Sequence, residues 1–155
     1  MSLQSVRAFL EEHAPDIEIL IHDGSTATVA EAAAAYGVPP AAIAKTLSLT
    51  VGGKPLLLVT GGIARLDNRK AKDFFGGKVS MLGPEDVLAL TGHPVGGVCP
   101  FGLPTPLQVY CDISLKAYPE VVPAAGSTNS AIRIAPERLA ELANASWIDV
   151  CMVPA

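Results

Sequence analysis

The sequence predicts a single α+β domain in which helices pack around a mixed sheet. Stretches of helical and of alternating periodicity interleave along the whole chain, with neither a linker nor an internal repeat between them. The chain's 155 residues, 50% hydrophobic and only 17% charged, suffice for one well-filled core and argue against disorder.

Ser2 to His13 reads as an amphipathic helix, with Val6, Phe9, Leu10 and His13 on one stripe. Ile17 to Ile21 is a short strand that runs into a polar turn, His22 to Thr26. Thr28 and Glu31 stand three apart, as a capping box requires, and the alanine-rich helix they open stops at Gly37. Ala44 to Val51 alternates strictly, with Lys45, Leu47, Leu49 and Val51 on one face and Thr46, Ser48 and Thr50 on the other. Gly52-Gly53 turns that strand into its partner, Pro55 to Thr60. Gly61 to Leu66 is a turn, Asp67 caps a helix over Asn68 to Phe75, and Lys78 to Met81 is a strand. Pro84 with Glu85 and Asp86 opens a helix that Gly92 ends. Leu107 to Cys111 is a strand, Ser114 to Tyr118 one helical turn, and Val121-Val122 a short strand. A small polar loop, Ala125 to Ser130, precedes the strand Ala131 to Ile134, a helix from Pro136 to Ala143 and a last strand, Trp147 to Cys151.

Composition excludes several functions. No apolar run approaches the roughly 18–20 residues of a membrane span, and the first residues lack a signal-peptide pattern. Cys99, Cys111 and Cys151 have no metal-like spacing, so a reduced, cytoplasmic protein without metal or cofactor is expected. A net charge of −4 argues against a general nucleic-acid binder. Five of the eleven basic residues nevertheless fall between Arg65 and Lys78 (Arg65, Arg69, Lys70, Lys72 and Lys78), which suits a polyanion docked in one orientation. A solvated helix face is the plainer alternative.

The candidate site is the stretch Gly92 to Pro104, with four glycines and three prolines in thirteen residues. Glycine permits close backbone approach and proline fixes the chain, so the stretch presents main-chain N–H groups as an oxyanion cradle would. No Gly-x-Ser-x-Gly elbow and no Walker loop occurs. His93 as a base and Cys99 as a nucleophile remain open, though no motif ties a histidine to Cys99. The reading that needs least is electrostatic: backbone donors around Gly96 to Phe101 hold a carbonyl oxygen. Lys45, on the apolar face of its strand, either snorkels out at the strand end or lines a cavity, where an ionisable group suits a binding site.

The ordered set Ala44-Lys45-Thr46-Leu47, Arg65-Leu66-Asp67, Thr91-Gly92, Gly96 to Gly102, Asp112 and Ala125-Gly126 resembles the stand-alone YbaK-type proteins and the editing domain inserted in bacterial prolyl-tRNA synthetases. The resemblance covers nearly all of residues 1–155. It implies the fold of that family, with a mostly antiparallel, barrel-like sheet. It implies a deacylase that hydrolyses mischarged aminoacyl-tRNA in trans, with tRNA(Pro) carrying a small non-cognate amino acid as the substrate and a prolyl-tRNA synthetase as a possible partner. Lys45 is then essential, and Gly96, Gly97, Val98, Cys99 and Pro100 hold the substrate carbonyl. His22, Thr28, Phe101, Gly102, Asp112, Gly126, Ser127, Thr128 and Asn129 bind the acceptor end, while Arg65, Arg69, Lys70 and Lys72 meet the tRNA backbone. The chain departs at Cys99, where relatives often carry serine, and at Ser127 to Asn129, which replaces a more glycine-rich or basic loop. A non-catalytic binder of tRNA ends or nucleotides with the same fold is the alternative.

Overall fold

The hairpin dictated by alternation and a Gly-Gly pair is the spine of the fold. It is seen in a computed structural model that describes residues 2–154. In chain order the elements are α1 (Ser2–His13), β1 (Leu20–Ile21), α2 (Val29–Tyr36), a 3₁₀ turn at Pro40–Ala42, β2 (Ile43–Val51), β3 (Lys54–Gly61), β4 (Arg65–Leu66), α3 (Asn68–Phe75) and β5 (Val79–Met81). Then come α4 (Pro84–Thr91), β6 (Gln108–Asp112), a 3₁₀ turn at Ile113–Ala117, β7 (Val122–Pro123), β8 (Ser130–Ala131), α5 (Pro136–Ala143), β9 (Ser146–Ile148) and β10 (Cys151–Met152).

Gly52 and Gly53 both have positive φ, 57° and 80°, the backbone a tight hairpin needs. The hairpin pairs Ala44 with Gly61 through to Val51 with Lys54. Parallel β6 covers the other edge of β3, and β9 lies parallel beyond it. Buried on both faces, β3 needs apolar side chains in both directions, which explains the unbroken run Leu56-Leu57-Leu58-Val59. Leu57 and Val59 pack with Val6 and Leu10 of α1 and Leu139 of α5, while Leu56 and Leu58 pack with Ala71 of α3, Ile148 and Val150. The molecule is thus a helix layer, a sheet and a second helix layer, with α2 resting on Ile43, Val122 and Ala131 at one end.

Several expectations change. The main sheet runs β5-β2-β3-β6-β9 with β7 on β2, and it is open, so barrel-like does not describe it. Of the strand expected over Ile17 to Ile21, only Leu20 and Ile21 pair, with Ala131 and Ser130. The last strand divides: Ser146–Ile148 joins the main sheet, whereas Cys151–Met152 pairs with Arg65–Leu66, within the segment expected to be a turn. The cause is Asp112, whose Oδ1 accepts from Val150 N at 2.9 Å and pulls the chain out of the ladder. The strand expected at Ala131 to Ile134 keeps only Ser130–Ala131, with an isolated bridge from Ile134 to Val121.

Both predicted caps form. Thr28 and Glu31 make the reciprocal pair of bonds, and Asp67 Oδ1 accepts from Arg69 N and Lys70 N at 3.0 and 3.1 Å. Replacing Asp67 by Ala removes the acceptor for two orphan donors of α3. It should lower stability by about 1 kcal/mol in urea unfolding, with Asp67→Asn close to wild type.

Candidate functional site

The outer edge of β2 is only partly covered. β5 pairs with it at Leu49 to Val51 and β7 at Ile43 and Ala44, leaving the stretch between them without a neighbouring strand among the described residues. A cavity of about 310 Å³ fills that gap. Its walls are Lys45, Thr46 and Ser48 of β2, Thr28 and Val29 at the start of α2, Leu82 and Val87 around α4, and Val95, Gly96 and Val98 of the glycine-rich stretch.

That stretch is built as a pinned loop. Gly92, at φ 74°, ends α4, and Thr91 Oγ1 accepts from His93 N at 3.0 Å. The His93 ring is fully buried, and its Nε2–H donates to Phe101 O at 2.8 Å, tying the second residue of the stretch to the tenth. Phe101 is sunk in the core and stacks on Phe9. Gly97 O accepts from Gly126 N at 3.0 Å, and a Cβ on Gly97 would lie 2.8–2.9 Å from the backbone of Ser127. A Cβ on Gly96, whose φ is 91°, would lie 2.8 Å from that of Ala27. Only glycine lets the three segments meet there.

The second loop completes the rim. Ser127 Oγ bonds the hydroxyl of Ser130 and the amide of Asn129, and Asn129 Nδ2 donates to His22 O at 3.0 Å. Thr26 N donates to Thr128 O at 2.7 Å. His22, Thr28, Ser127, Thr128 and Asn129 therefore belong to one strapped assembly, of which Thr28 touches the cavity. His22 itself turns Nδ1 to the Gly24 backbone.

Lys45 lines the cavity with its side chain on the Leu47–Leu49 face, and its ammonium donates to Ala64 O at 2.6 Å. Burial lowers its proton affinity, and the nearby Arg65 guanidinium lowers it further. Gly97, Cys99, Phe101, Gly102, Asp112 and Gly126 do not border the cavity. Pro100 and Gly102 face a second hollow beside Phe9 and Leu107. Asp112 is buried and caps the 3₁₀ turn, with Oδ2 accepting from Ser114 N at 2.9 Å. Arg65 stands on β4. On α3, Lys70 bonds Asp149 Oδ1 at 3.1 Å, and Arg69 and Lys72 are exposed.

The cysteines lack the setting of a nucleophile. Cys99 Sγ lies 3.7 Å from His93 Nε2, but that nitrogen's proton is committed to Phe101 O. Burial pushes the Cys99 thiol up to about 12, and the Cys111 and Cys151 thiols reach the same range. Among the described residues no group of three His, Cys, Asp or Glu side chains could hold a metal ion, and no helix is long and apolar enough to cross a membrane. Thr46, Ser48, Leu82 and Val87 were not singled out from the sequence. The polar alternation of Thr46 and Ser48 in a strand covered on both faces was the available signal.

A family model for the aminoacyl-tRNA editing domain matches residues 23–142. The chain belongs to this family. YwhH of Bacillus subtilis is 45% identical over 153 residues, covering 97% of this chain and 98% of that protein. A protein of Enterococcus faecalis named "Putative Cys-tRNA(Pro)/Cys-tRNA(Cys) deacylase EbsC" is 33% identical over 129 residues, 81% of this chain and 76% of EbsC. A crystal structure described as "a putative trans-editing enzyme for prolyl tRNA synthetase" superposes with a TM-score of 0.90 at 35% identity, covering 97% of each chain. The family expected from the sequence motifs and its mixed α/β fold are thereby borne out.

Two outcomes follow for this editing domain. Thiol reagents should label none of the three cysteines in the native protein and all three in denaturant, measured by intact mass. Burial lowers the His93 pKa from the ordinary 6.5, with the Phe101 bond opposing, so the unfolded chain binds the proton more readily. The stability from its neutral ring is complete above about pH 6.5 and is lost as pH falls towards the depressed folded value. Urea unfolding at pH 7 and pH 5 should show this loss in wild type and a smaller one in His93→Gln, whose amide keeps a donor but does not titrate.

Proposed function

We propose that this chain is a trans-editing deacylase that hydrolyses the ester bond of mischarged aminoacyl-tRNA. The observation that carries the reading is a cavity shared by Gly96, Val98 and Lys45 within a recognised editing domain. At about 310 Å³ it lies at the small end of ligand sites, which suits a small aminoacyl group joined to the terminal ribose. Relatives named for Cys-tRNA(Pro) and for prolyl-tRNA synthetase make tRNA(Pro) carrying a small non-cognate amino acid the first substrate to test, with a prolyl-tRNA synthetase as a partner.

In the reaction a water oxygen bonds to the ester carbonyl carbon, and negative charge grows on the carbonyl oxygen. Main-chain N–H groups of the glycine-rich loop at Gly96 and Val98, which border the cavity, stabilise that charge, and a donor of this kind is worth about 10²–10³ in rate. The carbon–oxygen bond to the ribose then breaks. The ribose oxygen takes up one proton of the attacking water, the other passes to solvent, and the amino acid leaves as its carboxylate. Lys45 supplies positive charge at the cavity wall; burial makes that charge costly to hold, and the bond its ammonium donates to Ala64 O offsets part of the cost. The strapped rim of His22, Thr28 and Ser127 to Asn129 receives the terminal adenosine. Arg65, Arg69, Lys70 and Lys72 meet the phosphate backbone, an attraction that salt weakens. The cytoplasm, where tRNA is charged, is the setting this reading requires.

A panel of mischarged tRNAs tests the proposal. Release of a small amino acid from tRNA(Pro) supports it, whereas binding without hydrolysis of any member favours a non-catalytic tRNA-end binder. Lys45→Ala should lower the deacylation rate by about 10² or more, the scale of a lost charge-stabilising group, while melting near wild type. Full activity in a well-folded Lys45→Ala protein would remove Lys45 from the mechanism.

A further inference from the structure

Inside the cavity a strand edge stands without a partner. Along β2, Thr50 lies opposite Ser80, and Ser48 O accepts from Leu82 N at 2.9 Å, so the main-chain groups of these residues point outward to β5. Backbone direction repeats at every second residue of a strand, which turns the N–H and C=O of Thr46 the same way. β5 stops at the Leu49 pairing and β7 at the Ala44 pairing, one on each side of Thr46. Among the described residues no protein group bonds the Thr46 N–H, the Thr46 C=O or the Ser48 N–H. Thr46 and Ser48 both line the cavity. A free donor and acceptor side by side on a strand edge form a template for adding another extended segment, and here the room beside them is that of one small group rather than a chain.

We propose that this edge takes the aminoacyl moiety of the substrate as a one-residue strand addition. The inference rests on the deacylase reading and names the part of the substrate that the cavity recognises. An α-aminoacyl ester carries an ammonium donor and a carbonyl acceptor on either side of a single carbon, the same pair that a strand residue presents. Against Thr46 the ammonium donates to the Thr46 C=O, and the carbonyl oxygen accepts from the Thr46 N–H. A carbonyl oxygen has two lone pairs, so the loop donors at Gly96 and Val98 engage the same atom from its other side. The edge thereby selects for a free α-ammonium whatever the side chain, and it sets the carbonyl facing the loop. Side-chain size is left to the apolar walls, such as Val87 and Val98.

The test uses the full chain, isotopically labelled, and a non-hydrolysable probe, 3′-L-alanylamido-3′-deoxyadenosine. On titration the Thr46 amide should shift and gain protection from hydrogen exchange, while Leu47, whose backbone serves the β3 ladder, moves little. Thr46→Pro deletes a donor that no protein group uses, at an edge where proline is tolerated. It should lower deacylation kcat/KM at least tenfold with little change in melting temperature. An α-hydroxyacyl-tRNA, which lacks the ammonium, should be hydrolysed at least tenfold less efficiently than its aminoacyl counterpart. If the probe saturates the Gly96–Val98 resonances and leaves the Thr46 amide unmoved, the edge assignment is overturned and the deacylase reading stands. A chain that neither binds the probe nor clears any mischarged tRNA overturns both.

Discussion

The contact on which the site depends is the meeting of Gly97 with the backbone of Ser127. It has no room for a Cβ, and a hydrogen bond from Gly126 N to Gly97 O fixes it. Through it the loop after α4 is held against the loop before β8, which is in turn strapped to the His22–Thr28 segment by Thr26 and Asn129. Gly96 closes on Ala27 from the other side. Three segments distant in sequence thus share one wall of the cavity, and each reaches it because a side chain is missing from another. A substitution at either glycine would separate the segments before it touched any substrate.

The opposite wall is set by what the sheet omits. Because β5 and β7 each cover only an end of β2, main-chain groups at Thr46 stay available in a protein whose ladders are otherwise well paired. The cavity is thus bordered by Thr46 and Ser48 of β2 and by Gly96 and Val98 of the glycine-rich loop, with Lys45 of β2 also in its wall. In the proposed reaction such a site supplies electrostatics and positioning. The Cys99 thiol is buried, which pushes it up to about 12, and its histidine neighbour serves as a fastener: His93 spends its proton on Phe101 O and so ties the loop shut.

What was legible in the sequence was mostly local. Capping residues, the Gly-Gly hairpin and the alternation of β2 follow from near neighbours, and Thr28, Asp67 and Gly52-Gly53 do what their types require. The glycine-rich loop stood out because its composition forbids regular structure. Events that depend on distant partners were not legible. The division of Ser146–Ile148 from Cys151–Met152 turns on the Asp112 carboxylate 38 residues away in sequence. The gap beside Thr46 turns on where β5 and β7 stop. The His93 pin joins residues only eight apart, but it needs a buried ring, and burial of a histidine inside a loop leaves no periodic trace.

The central claim is that the ester is cleaved by water within a cradle of backbone donors, without a covalent link to the protein. Intact-mass measurement during turnover of a mischarged tRNA, with rapid acid quench, tests it most directly. The account predicts an unmodified protein mass at every time point and a Cys99→Ser variant whose single-turnover rate stays within a few-fold of wild type. An aminoacyl adduct that appears and decays at the rate of turnover, and is absent in Cys99→Ser, would contradict it.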